Sequence, residues 1–300
     1  MKKVLVTGGT IFVSKYVAEY FVKKGYDVYV LNRNTHPQCE NVTLIEADRN
    51  QLTDELRGKH FDAVLDINAY TAADIETLLN ALDSFGEYVF ISSSAVYPEY
   101  EKQPFVEETK RGENKFWGNY GTDKIEAENV LTERVPNAYI LRPPYLYGQM
   151  NNVYREAFVF DCAMADRKFY LPKDGQMKMQ FFHIDDLCKV IEAILEKKPE
   201  EHIYNVGNEE AITIKDWVKL CYEAAGKKAE FVEVWEDIHP RCYFSFTDYD
   251  YYLDITRQKQ LLSETKTLQE GLQEAYAWYV KNTEKVNKRP YLEYIDEHLV

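Results

Sequence analysis

The chain has 300 residues, with 36 basic and 50 acidic side chains and a formal net charge of −14. Hydrophobic residues make up 45% and aromatic residues 14% of the sequence, which excludes a disordered chain. The acidic excess argues against nucleic acid as a partner, because proteins that bind it concentrate positive charge. No apolar stretch is long enough to cross a bilayer and no signal-peptide core fits the N-terminus, so we expect a cytoplasmic protein without membrane partners.

Strand-like and helix-like patterns alternate along the first half of the chain. Short buried strands are predicted at residues 4–6, 28–31, 42–47, 63–67, 88–91 and 139–141. Amphipathic helices are predicted between them at residues 14–24, 71–82 and 122–134. This alternation predicts βαβ units and therefore an α/β fold with a doubly wound parallel sheet.

The second half of the chain is less regular. Helices are predicted at residues 186–197, 214–225 and 268–282, and a tyrosine-rich loop spans residues 243–252. The pattern shows no internal repeat, no low-complexity linker and no clean domain boundary.

Cysteine and histidine spacing bears on cross-links and metals. The five cysteines are odd in number, widely spaced and never in a C-x-x-C pair, and no two histidines lie four residues apart. These spacings predict reduced thiols, with neither a disulfide framework nor a metal site.

A glycine-rich turn follows the first predicted strand and leads into the first predicted helix. It reads Thr7-Gly8-Gly9-Thr10-Ile11-Phe12-Val13-Ser14. Free backbone N–H groups and the positive end of a helix together favour a pyrophosphate at such a turn. The placement between strand and helix favours this interpretation over an ordinary glycine turn.

Tyr120 and Lys124 form a second motif, since residues four apart on a helix share a face. A lysine ammonium near a phenol favours the phenolate and lowers the tyrosine pKa toward neutrality. Ala127 and Leu131 continue the same face, so a tyrosine at an ordinary helix interface is the alternative for this pair taken alone.

Three serines, at positions 92 to 94, end the strand predicted at residues 88–91. Hydroxyls at the carboxyl ends of parallel strands lie where ligands bind in such sheets. A polar strand terminus is the alternative. The order of the three motifs along the chain is more specific than any one of them.

The chain resembles the extended short-chain dehydrogenase/reductase family, the NAD-dependent epimerase/dehydratase group that acts largely on nucleotide sugars. Residues 141–148, 180–186 and 204–207 are similar to the family's L-R-P-x-x-x-Y-G, Q-x-x-H-V-D-D and Y-N-V-G segments. The resemblance implies a Rossmann domain over residues 1–165 and a smaller, mainly substrate-binding domain over residues 166–300. The two would be interleaved, with segments near residues 178–210 returning to the Rossmann domain, and a homodimer is a possible assembly.

The resemblance also implies catalytic roles for three side chains. Tyr120 would exchange the proton of the substrate hydroxyl, and Lys124 would stabilise its phenolate and bind the nicotinamide ribose. Ser93 would hydrogen-bond the reacting oxygen. Aligning on the following Val-Tyr pair favours Ser93, whereas counting from the start of the strand favours Ser94.

Cofactor-binding roles are implied for Gly8, Gly9, Thr10, Ile11, Phe12, Asn32, Arg33, Asp48 and Lys124. Ile11 and Ser14 replace the second and third glycines of the family's G-x-x-G-x-x-G, and the bulky Ile11 is expected to restrict or reshape the phosphate contact. Asn32 stands where NAD-selective members place an acid on the adenosine ribose. That missing carboxylate and the adjacent Arg33 favour NADP over NAD, with simple solvation of Arg33 as the alternative.

The leading hypothesis is an NAD(P)-dependent epimerase-type enzyme that acts on a nucleotide sugar or a related hydroxyl or carbonyl substrate. Ser94 and Ala95 stand where sugar dehydratases carry an Asp-Glu pair, which disfavours a 4,6-dehydratase. The first alternative is an NADPH-dependent reductase of the same fold. The second is a non-catalytic or RNA-binding family member, which the intact Tyr120–Lys124 pair and the net charge of −14 disfavour.

Overall fold

The computed structural model describes all residues from 1 to 300. Up to residue 142 the helices and strands are β1 (Lys3–Thr7), α1 (Phe12–Lys23), β2 (Asp27–Asn32), β3 (Val42–Glu46), β4 (His60–Asp66), α2 (Ala72–Ala81), β5 (Ser84–Ile91), α3 (Asn119–Arg134) and β6 (Tyr139–Arg142). The remaining elements are β7 (Tyr145–Tyr147), α4 (Glu156–Met164), β8 (Phe169–Pro172), β9 (Lys178–Met179), β10 (Phe181–His183), α5 (Ile184–Lys197), β11 (Ile203–Asn205), β12 (Ile212–Thr213), α6 (Ile214–Ala224), β13 (Phe231–Val234), α7 (Gln258–Leu261), α8 (Leu268–Tyr279) and α9 (Tyr291–His298).

Seven strands form one parallel sheet in the order β3-β2-β1-β4-β5-β6-β11. The chain runs outward from β1 in one direction and then outward from β4 in the other. The predicted doubly wound α/β fold of the Rossmann type is therefore confirmed. Ligands of such sheets bind at the carboxyl ends of the strands where the order reverses, which here is between β1 and β4.

The apolar patterns in the sequence correspond to buried strands and helix faces. Residues 4 to 6 of β1 are all fully buried, as expected of a central strand in a parallel sheet. Thr71 caps α2 in a capping box with Asp74, which explains where this helix begins. α3 begins at Asn119, earlier than predicted, after Gly118 with a φ of +52°. No helix has the length and apolar character that a membrane span requires.

The chain divides into two compact units. The first comprises residues 1–144, 184–207 and 253–264 and contains the seven-stranded sheet, and the second comprises residues 145–183, 208–252 and 265–300. The first continuous segment of the first unit ends at Pro144, whereas the sequence places the boundary at residue 165. The strand that follows, β7, pairs with β10 and not with the large sheet.

The second unit is built from short strand pairs and helices around an aromatic core. Its strands pair as β7–β10, β9–β12 and β8–β13. The tyrosine-rich loop predicted at residues 243–252 is not a solvent-exposed segment, since Tyr243, Phe244, Phe246 and Tyr251 are buried. The six strands of this unit have two to four residues each, which is too few for a periodic pattern, so the sequence did not predict them.

Candidate active site

Two glycines of the turn between β1 and α1 adopt a backbone conformation that other residues rarely take. Gly8 and Gly9 both have a φ of +92°. A Cβ at Gly8 would lie 2.7 Å from Ser14 Oγ, and a Cβ at Gly9 would lie 2.6 Å from a methyl carbon of Val30. Both positions therefore require glycine, and the turn packs directly against α1 and β2.

Ile11 is the N-cap residue of α1. Its side chain is 44% exposed and provides no capping hydrogen bond, while its carbonyl accepts a 3.0 Å hydrogen bond from Ser14 Oγ. The N–H groups of the first helical turn therefore have no side-chain acceptor at the N-cap and can bind an anion. A helix start of this kind fits the diphosphate of a dinucleotide.

Asn32, at the end of β2, holds the glycine turn and the following loop together. Its Nδ2 donates hydrogen bonds to the Gly8 carbonyl at 2.7 Å and to Gln38 Oε1 at 2.9 Å. Its Oδ1 accepts one from the backbone N–H of Asn34 at 2.9 Å. Arg33 is exposed and forms no hydrogen bond or ion pair within the chain. The Asn32 amide is thus occupied, whereas all donors of the Arg33 guanidinium are available to a ligand.

Asp48 follows β3 and is half-buried. Its carboxylate accepts a 3.0 Å hydrogen bond from the backbone N–H of Asn50 and caps a short 3-10 turn. The structure thus gives this carboxylate a role in the turn itself, and its other oxygen remains open to a ligand.

Arg49, which the sequence did not single out, forms a buried ion pair beside the glycine turn. Its Nη1 lies 2.8 Å from Asp66 Oδ1 and its Nη2 lies 3.2 Å from Asp66 Oδ2, at the end of β4. Asp66 also accepts hydrogen bonds from Thr7 Oγ1 at 2.8 Å and Tyr88 OH at 2.7 Å. Burial alone would raise the pKa of the Asp66 carboxyl, but Arg49 and these donors hold it below its usual value.

The three serines after β5 have different surroundings. Ser92 and Ser94 are buried and donate their hydroxyls within the protein, Ser94 to the Pro143 carbonyl at 2.9 Å. Ser93 is half-buried, and its Oγ accepts a 3.1 Å hydrogen bond from the Ala95 amide. Of the three hydroxyls, only that of Ser93 is free to donate a hydrogen bond to a ligand.

Tyr120 and Lys124 lie one turn apart near the start of α3, with the Lys124 ammonium 6.0 Å from the centre of the Tyr120 ring. Tyr120 is 37% exposed, whereas Lys124 is buried. The Lys124 Nζ donates to the Ala69 carbonyl at 2.6 Å and to the Ile91 carbonyl at 2.9 Å. The lysine is therefore held at the carboxyl edge of the sheet with the tyrosine on the solvent side.

Gly121 explains how close α3 comes to the serine segment. A Cβ at this position would lie 2.4 Å from the Ala95 carbonyl oxygen. The helix can pack against the turn after β5 only because Gly121 has no side chain, and this contact brings Tyr120 beside that turn. No periodic pattern or motif in the sequence indicates this requirement.

Burial lowers the pKa of the Lys124 ammonium to about 8, although Asp66 and Glu128 act to raise it. The ammonium lies 4.7 Å from the centre of the Phe90 ring and 5.1 Å from that of Tyr70. Lys124 is thus a cation near neutral pH and loses its charge at mildly alkaline pH.

The free energy of unfolding is expected to rise with pH between about 8 and 10.5 because of Lys124. Its pKa is about 8 in the folded protein against an ordinary value of 10.5, so the unfolded chain binds more protons throughout this window. Across this whole pH window, the free energy of unfolding should rise by about 3 kcal/mol. Urea unfolding at several pH values checks this in wild type and in Lys124→Met, which should lack this part of the slope. Equal slopes in the two proteins would contradict the shifted pKa.

A second buried ion pair connects α3 to β5 and β6. Glu128 Oε1 accepts hydrogen bonds from Ser92 Oγ at 2.5 Å and Arg142 Nε at 2.9 Å, and Oε2 accepts from Arg142 Nη2 at 2.6 Å and Arg111 Nη1 at 2.8 Å. Glu128 and Arg142 are both buried. Burial alone would raise the pKa of the Glu128 carboxyl, but Arg142 and the other donors hold it below its usual value. The sequence reasoning missed this pair, although Arg142 lies in one of the segments that carried the resemblance.

Residues 4–207 match the model of the NAD dependent epimerase/dehydratase family. The chain belongs to this family. Family members are NAD-dependent epimerases and dehydratases, so the predicted extended short-chain dehydrogenase/reductase type of enzyme is confirmed.

The individual relatives of this family member are distant in sequence. The chain is 26% identical to the chloroplast stem-loop binding protein of 41 kDa b from Arabidopsis thaliana, over 92% of the chain and 78% of that protein. It is 24% identical to the UDP-glucose 4-epimerase of Corynebacterium glutamicum, over 75% of the chain and 80% of that protein. The crystal structure of UDP-glucuronic acid 4-epimerase from Bacillus cereus, with UDP-glucuronic acid and NAD, matches with a TM-score of 0.72 and 20% identity, covering 93% of this chain and 99% of that one. The structural match supports the fold.

Proposed function

We propose that this family member is an NAD(P)-dependent epimerase that acts on a nucleotide sugar, with Tyr120, Lys124 and Ser93 as its catalytic residues. The observation that carries the proposal is the arrangement of the first two on α3. An exposed phenol stands one turn from a buried ammonium, which is 6.0 Å from its ring and lies at the carboxyl edge of the sheet. In this proposal the Lys124 cation favours the phenolate of Tyr120 over the phenol.

In this mechanism each of the three catalytic side chains stabilises a charge, transfers a proton or donates a hydrogen bond. The Tyr120 phenolate removes the proton of a substrate hydroxyl, and the Lys124 ammonium stabilises the phenolate before the transfer. The Ser93 hydroxyl donates to the oxygen that becomes a carbonyl. A bound dinucleotide supplies the chemistry of hydride acceptance and return. The resulting ketone rotates and presents its other face, and Tyr120 returns the proton.

The surroundings of the serines support Ser93 over Ser94 as the third catalytic residue. The Ser94 hydroxyl is fully buried and donates to a carbonyl of the protein, so it has no proton to offer a substrate. Ser93 Oγ is half-buried and only accepts a hydrogen bond within the chain. Gly121 brings Tyr120 to the turn that Ser93 begins.

NADP is the proposed preference of the cofactor site. Residue 32, at the end of β2, is an asparagine and so carries no carboxylate that would repel a 2′-phosphate. Its side-chain amide is used within the protein. The neighbouring Arg33 guanidinium is exposed and unpaired, and it can bind such a phosphate with charge-assisted hydrogen bonds.

Arg33→Ala is expected to weaken NADP binding by about 1–3 kcal/mol while sparing NAD, on the scale of a lost hydrogen bond to a charged group. Calorimetric titration of both dinucleotides into wild type and variant provides the measurement. Lys24→Ala, which removes a cation that is paired with Glu192, serves as the charge-matched control. Equal losses for NADP and NAD in Arg33→Ala would show that Arg33 does not distinguish the two.

Whether the purified protein retains a bound cofactor distinguishes the proposed epimerase from an NADPH-dependent reductase. An epimerase returns the hydride to its substrate and regenerates its cofactor, whereas a reductase must release it after each turnover. Mass spectrometry of natively purified protein should therefore detect a bound dinucleotide and identify any nucleotide sugar held with it. A protein that is empty and is thermally stabilised by added NADPH would favour the reductase.

RNA binding is the second candidate function, because one relative is named as a stem-loop binding protein. The net charge of −14 opposes it, since phosphate-backbone binding depends on basic side chains. A filter-binding assay with a stem-loop RNA at near-physiological salt decides between the two. Binding at low micromolar concentration that dinucleotide does not displace would favour the RNA-binding candidate.

A homodimer and a cytoplasmic location stay predictions from the sequence. Light scattering tests the homodimer.

A further inference from the structure

Asn68, in the loop after β4, uses only one end of its side-chain amide within the protein. Its Oδ1 accepts a 2.6 Å hydrogen bond from Arg49 Nη1, and its Nδ2 forms no hydrogen bond in the chain. A guanidinium has only donors, so the amide atom that faces Arg49 must be the oxygen. The orientation of the amide follows from this, and the NH₂ group points away from Arg49.

The unused NH₂ group lies beside the glycine turn. A Cβ at Gly8 would lie 3.5 Å from Asn68 Nδ2, so this nitrogen lies close to the backbone of the turn at Gly8. Asn68 is half-buried, and a ligand seated on the turn would come within its reach. The same turn offers the uncapped start of α1 to an anion.

Arg49 holds Asn68 and uses its Nη1 and Nη2 donors within the protein, while its Nε is buried and has no hydrogen-bond partner. Its Nη1 and Nη2 bind Asp66, Nη2 also donates to the Asp74 carbonyl at 2.9 Å, and Nε lies 3.6 Å from the Asp74 carboxylate. Both Asp66 oxygens are hydrogen-bonded to hydroxyls as well. The buried ion pair is therefore a positioning group, and the free donor that it directs outward is the Asn68 amide.

We propose that Asn68 is a further dinucleotide-binding residue, whose Nδ2 donates a hydrogen bond to a phosphate oxygen of the cofactor's diphosphate. The inference rests on the proposed function, which places a dinucleotide at the glycine turn. A phosphate oxygen is an anionic acceptor, and hydrogen bonds to it are stronger than those between neutral groups. Asn68 thus supplies a side-chain donor to a turn that carries the bulky Ile11 in place of a glycine.

Asn68→Asp separates ligand binding from structural support. The aspartate keeps an oxygen for Arg49, so the melting temperature should stay level or rise, while its second oxygen replaces the donor and repels a diphosphate. The dissociation constants of NAD and ADP-ribose, measured by calorimetric titration, should rise about a hundredfold. Asn68→Ala, which only removes the donor, should raise them about tenfold.

Asn80→Asp is the matched control, because the exposed Asn80 Oδ1 also accepts a hydrogen bond from an arginine, Arg134 Nη1, at 2.8 Å. It adds the same charge and should change both dissociation constants less than twofold. Asn68→Asp protein that binds ADP-ribose within twofold of wild type would overturn the inference and leave the proposed function standing. A loss confined to NAD would also overturn it, since ADP-ribose retains the diphosphate. Wild-type protein that binds none of NAD, NADP and ADP-ribose at millimolar concentration would refute the proposed function and the inference together.

Discussion

Tyr120→Phe is expected to lower turnover about a hundredfold or more while the protein stays folded. General acid–base catalysis contributes about 10²–10⁴ in rate, and phenylalanine has no group to exchange the proton. The variant retains the ring, whose centre lies 6.2 Å from that of Tyr70 and 6.4 Å from that of Trp117, so packing is preserved. Steady-state kinetics on the nucleotide sugar identified in native protein measure the loss, and scanning calorimetry verifies the fold.

A second exposed tyrosine provides the control for this substitution. Tyr100 is 74% exposed, and Tyr100→Phe should change turnover less than about twofold, as surface substitutions away from a site usually do. Near-normal turnover in Tyr120→Phe would remove Tyr120 from the mechanism. A fall in turnover together with a loss of dinucleotide binding would assign Tyr120 to cofactor binding and not to proton transfer.

Glu128→Ala is expected to reduce the free energy of unfolding by about 3–5 kcal/mol. Glu128 and Arg142 are both buried, and removal of the carboxylate leaves the Arg142 guanidinium without its counter-charge. The Ser92 hydroxyl loses its acceptor in the same step. Urea unfolding near neutral pH measures the change.

Glu133→Ala, an exposed position on the same helix, is the control and should change stability by less than about 0.5 kcal/mol. The double variant Glu128→Ala with Arg142→Met should recover part of the loss, because no buried charge is then unpaired. The pKa of Glu128 is lower in the folded protein than its ordinary 4.5, so its contribution is present above pH 4.5 and is lost as the pH falls through the folded value. A loss below 1 kcal/mol in Glu128→Ala would show that the ion pair contributes little net stability.

The sequence by itself determined the fold class and the three motifs of the candidate site. Buried strands such as β1 and amphipathic helices such as α2 produce local periodic patterns, because each residue's burial follows from its position along a single element. The glycine turn and the Tyr120–Lys124 spacing are also local, since a turn conformation and one helical turn involve only neighbouring residues. Their order along the chain was enough to predict the family.

Only the tertiary structure decided which groups surround these motifs. Gly121 is needed because of a carbonyl at residue 95, and the Ser94 hydroxyl donates to a carbonyl at residue 143. Asn68 gains its orientation from Arg49, which in turn is held by Asp66. Each of these contacts joins residues that are distant in sequence or on different elements, and no periodicity or spacing records them. Their energies depend on burial and on the exact approach of two backbones, which exist only once the sheet has brought the carboxyl ends of its strands together.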